Sequence, residues 1–172
     1  LRRSSAASDV YKRQPHPFYD VRHEWLTEDS VCRLSKLGHQ RIGLINPPEE
    51  LNYSRHRLDG FLKGLESCGL GFQKEMQVST ALSFEAGRKV LQQFIELPNP
   101  PTAIVSPGVS TTLGILTEMN SANLILGKDL DLIAFEGTNY LEFNTPHINA
   151  YHSSLEAAGQ QLCKLLLRRI EG

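Results

Sequence analysis

Segments with the spacing of amphipathic helices alternate with short apolar runs along this chain from Thr27 onward. Helices cover both faces of a parallel sheet, so its strands are typically short and almost entirely apolar. Three clear runs and two weaker ones predict strands at residues 41–46, 76–79, 102–106, 130–136 and 147–152. The alternation therefore predicts an α/β fold, a parallel sheet flanked by helices.

The first two predicted helices differ in how clearly they are marked. Thr27 is a suitable N-cap for the first, which we expect to end near Gly38. The second covers about residues 54–68, and its glycines, Gly60 and Gly64, are expected to allow close approach to the sheet. Its apolar residues at helical spacing predict the inward face, namely Leu58, Phe61, Leu62 and Leu65.

Three further helices are predicted at residues 84–96, 109–120 and 155–169. Ser83 and Ser154 are suitable N-caps for the first and last of these. The inward face of the last helix is predicted to consist of Leu155, Ala158, Leu162 and Leu166.

The segment SSAASDVYKRQ, residues 4–14, is not typical of the start of a domain. Codon by codon it back-translates into a string that resembles the adapter of transposase-based sequencing libraries. We therefore interpret residues 4–14 as translated adapter and residues 1–3 as sequence that precedes it. No element of the fold is predicted in residues 1–14. The alternative is a basic N-terminal arm that binds nucleic acid. On the adapter interpretation, the natural chain continues upstream of Pro15.

Charge and cysteine content exclude several classes of protein. Without residues 1–14 the chain has 14 basic and 18 acidic residues, a net charge of −4 rather than −1. A body of that sign lacks the basic patch that binds nucleic acid. The three cysteines form no CxxC pair, which predicts buried free thiols in a reducing compartment. No apolar run approaches the roughly 18 residues of a membrane span, so no membrane partner is expected.

Motifs for catalysis and cofactors are absent from the sequence. It contains neither GxGxxG nor GxxxxGK[ST], no HExxH or other zinc spacing, and no GxSxG nucleophile elbow. We therefore expect no cofactor, no metal and no enzymatic activity.

Candidate ligand contacts follow from the predicted topology. Ligands of open α/β sheets bind beyond the carboxyl ends of the strands, which here are residues 46–53, 106–108 and 136–140. Arg57 and Glu136 at this edge could each form two parallel hydrogen bonds with vicinal hydroxyls. Tyr53 offers an aromatic face for a sugar ring. The alternative is that Arg57 and Glu136 pair with each other or with solvent.

Five segments in register resemble the lactose/galactose repressor (LacI/GalR) family of bacterial transcription regulators. They are LGHQRIGLI (37–45), R-x-x-G-F (57–61), PTAIV (101–105), G-x-D-L-D-L-I-A-F (127–135) and PHINAY (146–151), the last followed by a helix that contains Gly159. The resemblance extends from about Phe18 to Gly172.

The resemblance implies a two-lobed effector domain like that of periplasmic sugar-binding proteins, preceded by a helix-turn-helix domain and a hinge helix. Residues 15–40 would be a remnant of the first lobe, residues 41–150 the second lobe, and residues 151–172 the truncated return to the first. We therefore expect residues 18–37 and the final helix to present apolar faces without partners in this chain.

The resemblance also implies roles for single residues. Arg57 matches the family's effector-binding arginine, and Tyr53 lies where a polar contact often precedes it. Glu136 stands where the family usually has an Asp that binds ligand hydroxyls, and its carboxylate extends one methylene further. Gly108 ends a Ser-Pro-Gly loop where relatives often have Asn-Asp, and Ser153 replaces a frequent Gln.

The function implied is sensing of a small effector, a sugar or a related molecule, by a cytoplasmic, homodimeric transcription regulator. Closure of the lobes around the effector would alter operator binding by the helix-turn-helix domain. The alternative is a periplasmic sugar-binding protein of a transport system. It would have the same two lobes but a signal peptide in place of the helix-turn-helix domain.

Overall fold

The computed structural model describes residues 20–136, 140–141 and 148–171. Its sheet has five parallel strands in the order β2-β1-β3-β4-β5. The strands are β1 (Ile42–Asn46), β2 (Gln77–Ser79), β3 (Ala103–Val105), β4 (Asp131–Glu136) and β5 (Asn149–His152). The helices are α1 (His23–Lys36), α2 (Asn52–Ser67), α3 (Phe84–Ile95), α4 (Val109–Ser121) and α5 (Leu155–Glu171). The predicted α/β class is confirmed, and the residues predicted to begin the last strand, up to His147, lie outside the described part.

Helices α1 and α2 cover one face of the sheet, and α3 and α4 cover the other. Strand residues alternate between these two cores, as the pleat requires. Leu44 and Val105 pack with Phe61 of α2 in the first core. Ile45 and Ile104 pack against α3 and α4 in the second. Because the chain moves from β1 outward to β2 and then returns to β3, the strand order reverses between β1 and β3.

The N-cap of helix α1 is Arg22, five residues before the predicted N-cap. Thr27 is therefore inside the helix rather than at its N-cap, and its buried hydroxyl lies 2.7 Å from the carbonyl oxygen of Arg57. The expectation that residues 18–37 lack partners is wrong for this helix, because Leu26, Val31 and Leu34 are buried. The lobe boundaries themselves stay a prediction.

The glycines of α2 bring it close to α1, not to the sheet as expected. A Cβ at Gly60 would overlap the carbonyl oxygen of Glu24, and one at Gly64 would lie 2.7 Å from the Cβ of Val31. Leu62, predicted to face inward, is 37% exposed. The buried residues of α2 are Ser54, Arg57, Gly60, Phe61, Gly64 and Leu65.

Helix α5 has its predicted start but not its predicted buried face. The Ser154 hydroxyl accepts a hydrogen bond from the Ala157 N–H at 3.1 Å, which confirms the N-cap. Leu155, Leu162 and Leu166 are 69%, 50% and 61% exposed. Helical spacing predicted that these three face inward, but within the described residues they face outward. In that part of the chain the helix therefore presents an apolar face without partners, as the family resemblance implied.

A polar contact joins three strands at the amino edge of the sheet. His39, just before β1, lies 3.0 Å through Nδ1 from the Thr102 hydroxyl and 2.7 Å through Nε2 from the Asp131 carboxylate. Since Thr102 precedes β3 and Asp131 begins β4, one side chain connects the starts of all three strands. It is the histidine of the LGHQRIGLI segment.

The thiols are less buried than expected. Cys32 and Cys68 are free and half-buried, with their sulfurs 3.4 Å apart between α1 and the end of α2, and Cys163 is exposed. Burial, with the neighbouring Cys68, raises the pKa of the Cys32 thiol to about 11. No helix among the described residues has the length and apolar composition needed to span a membrane.

The close contact between α1 and α2 predicts a large cost for a single methyl group. Gly60→Ala should destabilise the 172-residue chain by about 1–3 kcal/mol, because the backbone of α1 cannot yield without losing its own packing. Gly159→Ala in α5 is the matched control, since its Cβ would meet no atom within 4 Å. It should stabilise by up to about 1 kcal/mol through helix propensity. Urea unfolding measures the change in the free energy of unfolding for both variants. Equal changes in Gly60→Ala and Gly159→Ala would contradict the close packing of α1 on α2.

Adjacent threonines in α4 predict opposite effects of the same substitution. The Thr111 hydroxyl is buried without a hydrogen-bond partner among the described residues. The Thr112 hydroxyl lies 2.7 Å from Ser106 Oγ and 2.8 Å from the Gly108 carbonyl oxygen. Thr111→Val should therefore stabilise the chain, and Thr112→Val should destabilise it, each by about 1 kcal/mol. The urea midpoints of the two variants should move in opposite directions, and a shared direction would show that the hydroxyl contacts are assigned wrongly.

Candidate functional site

The carboxyl ends of the five strands meet at one edge of the sheet, where open α/β folds bind ligands. The favoured place on that edge is the crevice where the strand order reverses. In this chain the reversal lies between β1, which ends at Asn46, and β3, which is followed by Ser106. We call this place the β1–β3 crevice.

Arg57 reaches the β1–β3 crevice from the first half of α2. Its Nε donates a hydrogen bond to Asn46 Oδ1 at 3.2 Å, and its Nη2 donates to the Ser106 carbonyl oxygen at 3.4 Å. The residue is only 1% exposed, so the alternative that it pairs with solvent is wrong. No carboxylate among the described side chains pairs with it.

Burial changes the electrostatics of this arginine. Removal from water lowers the pKa of the Arg57 guanidinium to about 10, and the neighbouring Tyr53 phenol opposes that shift. The group is still a cation at neutral pH, because ordinary solutions are well below that value. A buried cation whose acceptors among the described residues are neutral can bind an incoming oxygen atom strongly.

Two buried polar residues in the crevice, Asn46 and Ser54, were not among the predicted contacts. The Asn46 amide nitrogen donates to the Ser54 carbonyl oxygen and hydroxyl, both at 2.8 Å, and the Ser54 hydroxyl donates to the Pro47 carbonyl oxygen at 2.9 Å. A signal was present in the sequence, because an amide closes an otherwise apolar strand. The topological argument favoured charged and aromatic side chains at this edge, and the family resemblance pointed to other positions, so neither selected Asn46.

Gly108 lies beside the crevice at the N-cap of α4. Its carbonyl oxygen accepts a hydrogen bond from the Thr112 N–H at 3.0 Å. The backbone is extended there, with φ of 170°, and among the described residues a Cβ would meet only the Phe135 carbonyl oxygen, at 3.9 Å. Neither its conformation nor its packing against the described residues requires glycine, and those residues leave open space on its side-chain face.

Tyr53 is the second residue of α2, and one face of its ring is in contact with another aromatic side chain. Its ring stacks on His23 of α1 with the centroids 4.9 Å apart, and His23 also lies 6.0 Å from the ring of Phe135. Burial raises the pKa of the Tyr53 phenol, against the opposing effect of the Arg57 charge. One face of the Tyr53 ring is therefore in contact with His23, and the start of α1 lies beside the site. That the ring offers a face to a sugar stays a prediction.

The other two predicted contacts lie at the same edge. Glu136 is the last residue of β4 and pairs in register with His152 of β5, but its side chain is outside the described part. Ser153, which follows β5 directly, is half-buried. The structure brings the backbone positions of all five predicted residues to one edge, and their binding role stays a prediction.

A cavity of about 430 Å³ lies near the start of α1 and is separate from this set of residues. It is lined by Val21, Arg22, His23, Glu24, Trp25, Glu28 and His56. None of the predicted residues whose side chains the structure describes lines it. Within the described residues, no three His, Cys, Asp or Glu side chains are grouped so that they could hold a metal ion.

Residues 31–172 match the family model of the periplasmic binding protein-like domain. The chain belongs to that family. Its relatives are transcription regulators, and solved structures similar to it are those of LacI-family regulators. The resemblance in the sequence is thereby confirmed.

Two curated relatives illustrate the match. The chain is 34% identical over 156 residues to the HTH-type transcriptional regulator AglR of Rhizobium meliloti, an alignment that covers 88% of the chain and 44% of that protein. It is 32% identical over 144 residues to the HTH-type transcriptional repressor CytR of Escherichia coli, which covers 84% and 42%. The chain thus spans less than half the length of these relatives.

Solved structures show the same fold at lower identity. A LacI-family regulatory protein from Chloroflexus aggregans superposes with a TM-score of 0.83 at 22% identity, covering 97% of this chain and 64% of that one. A LacI-family regulator from Enterococcus faecium, solved with bound ribose, gives 0.78 at 20% identity, covering 88% and 56%. The periplasmic-binding-protein-like fold of the chain is therefore established.

Proposed function

We propose that this chain senses a small polyhydroxylated effector, with a carbohydrate as the first candidate, for a DNA-binding transcription regulator. The relatives reported above are regulators rather than enzymes. The single observation that carries the proposal is Arg57, a buried cation with neutral partners at the point of strand reversal. Vicinal hydroxyls are a suitable ligand, since two of their oxygens match the parallel N–H groups of a guanidinium.

The proposed binding set is Arg57 with Tyr53, Gly108, Glu136 and Ser153. Arg57 supplies charge-assisted hydrogen bonds, and Gly108 supplies room for the ligand beside the start of α4. Tyr53 supplies its phenol edge, because His23 occupies a ring face. The Glu136 carboxylate would accept hydrogen bonds from ligand hydroxyls.

Regulation in this proposal comes from closure of two lobes around the effector. The effector can shift the regulator only as far as its affinity differs between the open and closed forms. Coupling of that kind changes affinity for DNA by about 5- to 150-fold. In this proposal a helix-turn-helix domain outside this chain binds the DNA. The regulator is active as a homodimer in the cytoplasm. An exported sugar-binding protein is the competing function, and neither curated relative reported above favours it.

The test compares two arginines of the same helix in the regulator that contains this chain. An operator is first selected from random-sequence DNA, and pentoses and hexoses, ribose included, are screened for release of that operator. Arg57→Met, which keeps the volume but removes the charge, should lower sugar affinity by at least about tenfold and leave operator affinity unchanged. Arg55→Met on the exposed face should change neither.

The results separate the possibilities. A folded Arg57→Met variant that responds normally to sugar, or that loses operator affinity as well, would contradict the proposed role. A protein that binds sugar but selects no DNA sequence would support the exported sugar-binding function instead.

A further inference from the structure

The orientation of the Asn46 amide is fixed by its hydrogen bonds. The Ser54 hydroxyl gives its only proton to the Pro47 carbonyl oxygen at 2.9 Å, so it accepts from Asn46. The Ser54 carbonyl oxygen also can only accept. Both therefore require the NH₂ group of Asn46, which lies 2.8 Å from each. The carbonyl oxygen of the Asn46 side chain must then point to Arg57.

This arrangement restrains the guanidinium of Arg57 through its Nε. That atom lies 3.2 Å from Asn46 Oδ1, whereas the second contact, from Nη2 to the Ser106 carbonyl oxygen, is longer at 3.4 Å. A guanidinium is planar, so fixing its Nε–H direction limits rotation of the whole group. Asn46 is itself 1% exposed and cannot turn away into solvent.

The side chain that accepts from Arg57 Nε, the Asn46 amide, is neutral, and its neutrality affects how strongly Arg57 can bind a ligand oxygen. An aspartate at residue 46 would pair with the Arg57 charge and compete with any ligand oxygen for it. The amide oxygen of Asn46 accepts the hydrogen bond without placing a negative charge beside the guanidinium. The Nη atoms then remain the strongest donors that an incoming group can meet in the crevice.

We propose that Asn46 is a positioning residue that fixes the plane of the Arg57 guanidinium at the β1–β3 crevice while leaving its charge available to an acceptor group of the effector. The second half of this inference rests on the proposed function. The first half concerns the ligand-free chain and is tested without any effector.

The measurement is hydrogen exchange of the Arg57 Nε–H in the ¹⁵N-labelled 172-residue chain, assigned by loss of its signal in Arg57→Lys. That proton should exchange at least about tenfold more slowly than the Nε–H of exposed Arg55, because it is buried and hydrogen-bonded. Asn46→Ala should raise its rate by about tenfold, since the acceptor is removed. Asn46→Asp should retain the slow rate, because a carboxylate accepts from the same atom.

Two further variants keep the test decisive if Asn46→Ala does not fold. Ser54→Ala removes one of the two acceptors that orient the Asn46 amide and should raise the Arg57 rate by a smaller factor. Thr111→Val, another buried polar change, should leave it unchanged. The positioning role would be overturned if the exchange rate of the Arg57 Nε–H were unaffected by Asn46→Ala or by Ser54→Ala. It would also be overturned if that rate rose equally in Thr111→Val.

The effector-dependent half has its own result. With ribose, or whichever sugar releases the operator, Asn46→Asp should bind at least about tenfold more weakly although its Arg57 stays protected from exchange. Unchanged sugar affinity in this variant would overturn the claim about charge. Absence of sugar binding by the unmodified regulator would instead count against the proposed function and leave the exchange result standing.

Discussion

Burial of the Arg57 charge at the reversal of strand order is the constraint on which the arrangement of this site depends. Taking a guanidinium out of water is costly unless its donors meet acceptors. The chain supplies those acceptors from the ends of both strands that border the crevice, Asn46 of β1 and Ser106 after β3. The loop after β1 and the start of α2 are in turn held by Ser54. The polar network therefore fixes how α2 meets the sheet.

The same arginine connects the site to helix α1. Its backbone carbonyl oxygen accepts a hydrogen bond from the buried Thr27 hydroxyl at 2.7 Å, and three residues later Gly60 lets the two helices touch. Because α1 is held there, His23 at its start lies against Tyr53 and Phe135 at the carboxyl edge. Packing between two helices thus determines which aromatic groups border the site.

The sequence predicted the architecture well because apolar runs and caps report local structure directly. All five strands and the Ser83 and Ser154 caps followed from such signals. The predicted start of α1 was wrong because Thr27 is a residue type that favours N-caps, whereas here it lies inside the helix and its hydroxyl donates to the Arg57 carbonyl oxygen of α2. Its contact with residue 57 depends on packing that no short window of sequence contains.

The site was predicted less completely than the fold. Topology and family resemblance placed five residues at the carboxyl edge of the sheet, where the structure has them. Neither could identify the Asn46 amide, whose role depends on distances to Ser54 and Arg57. Helical spacing alone predicted that the leucines of α5 face inward, because spacing shows that a face is apolar without showing what covers it. The family resemblance implied instead that this face lacks a partner in the chain, and the leucines are exposed.

The most direct test of the central claim is a crystal structure of the complete regulator with the sugar that releases its operator. The account predicts ligand oxygens within about 3 Å of the Arg57 guanidinium, at the β1–β3 crevice and beside Gly108. A sugar bound elsewhere, for instance in the cavity that His56 lines, with Arg57 contacting only Asn46 and Ser106, would contradict it.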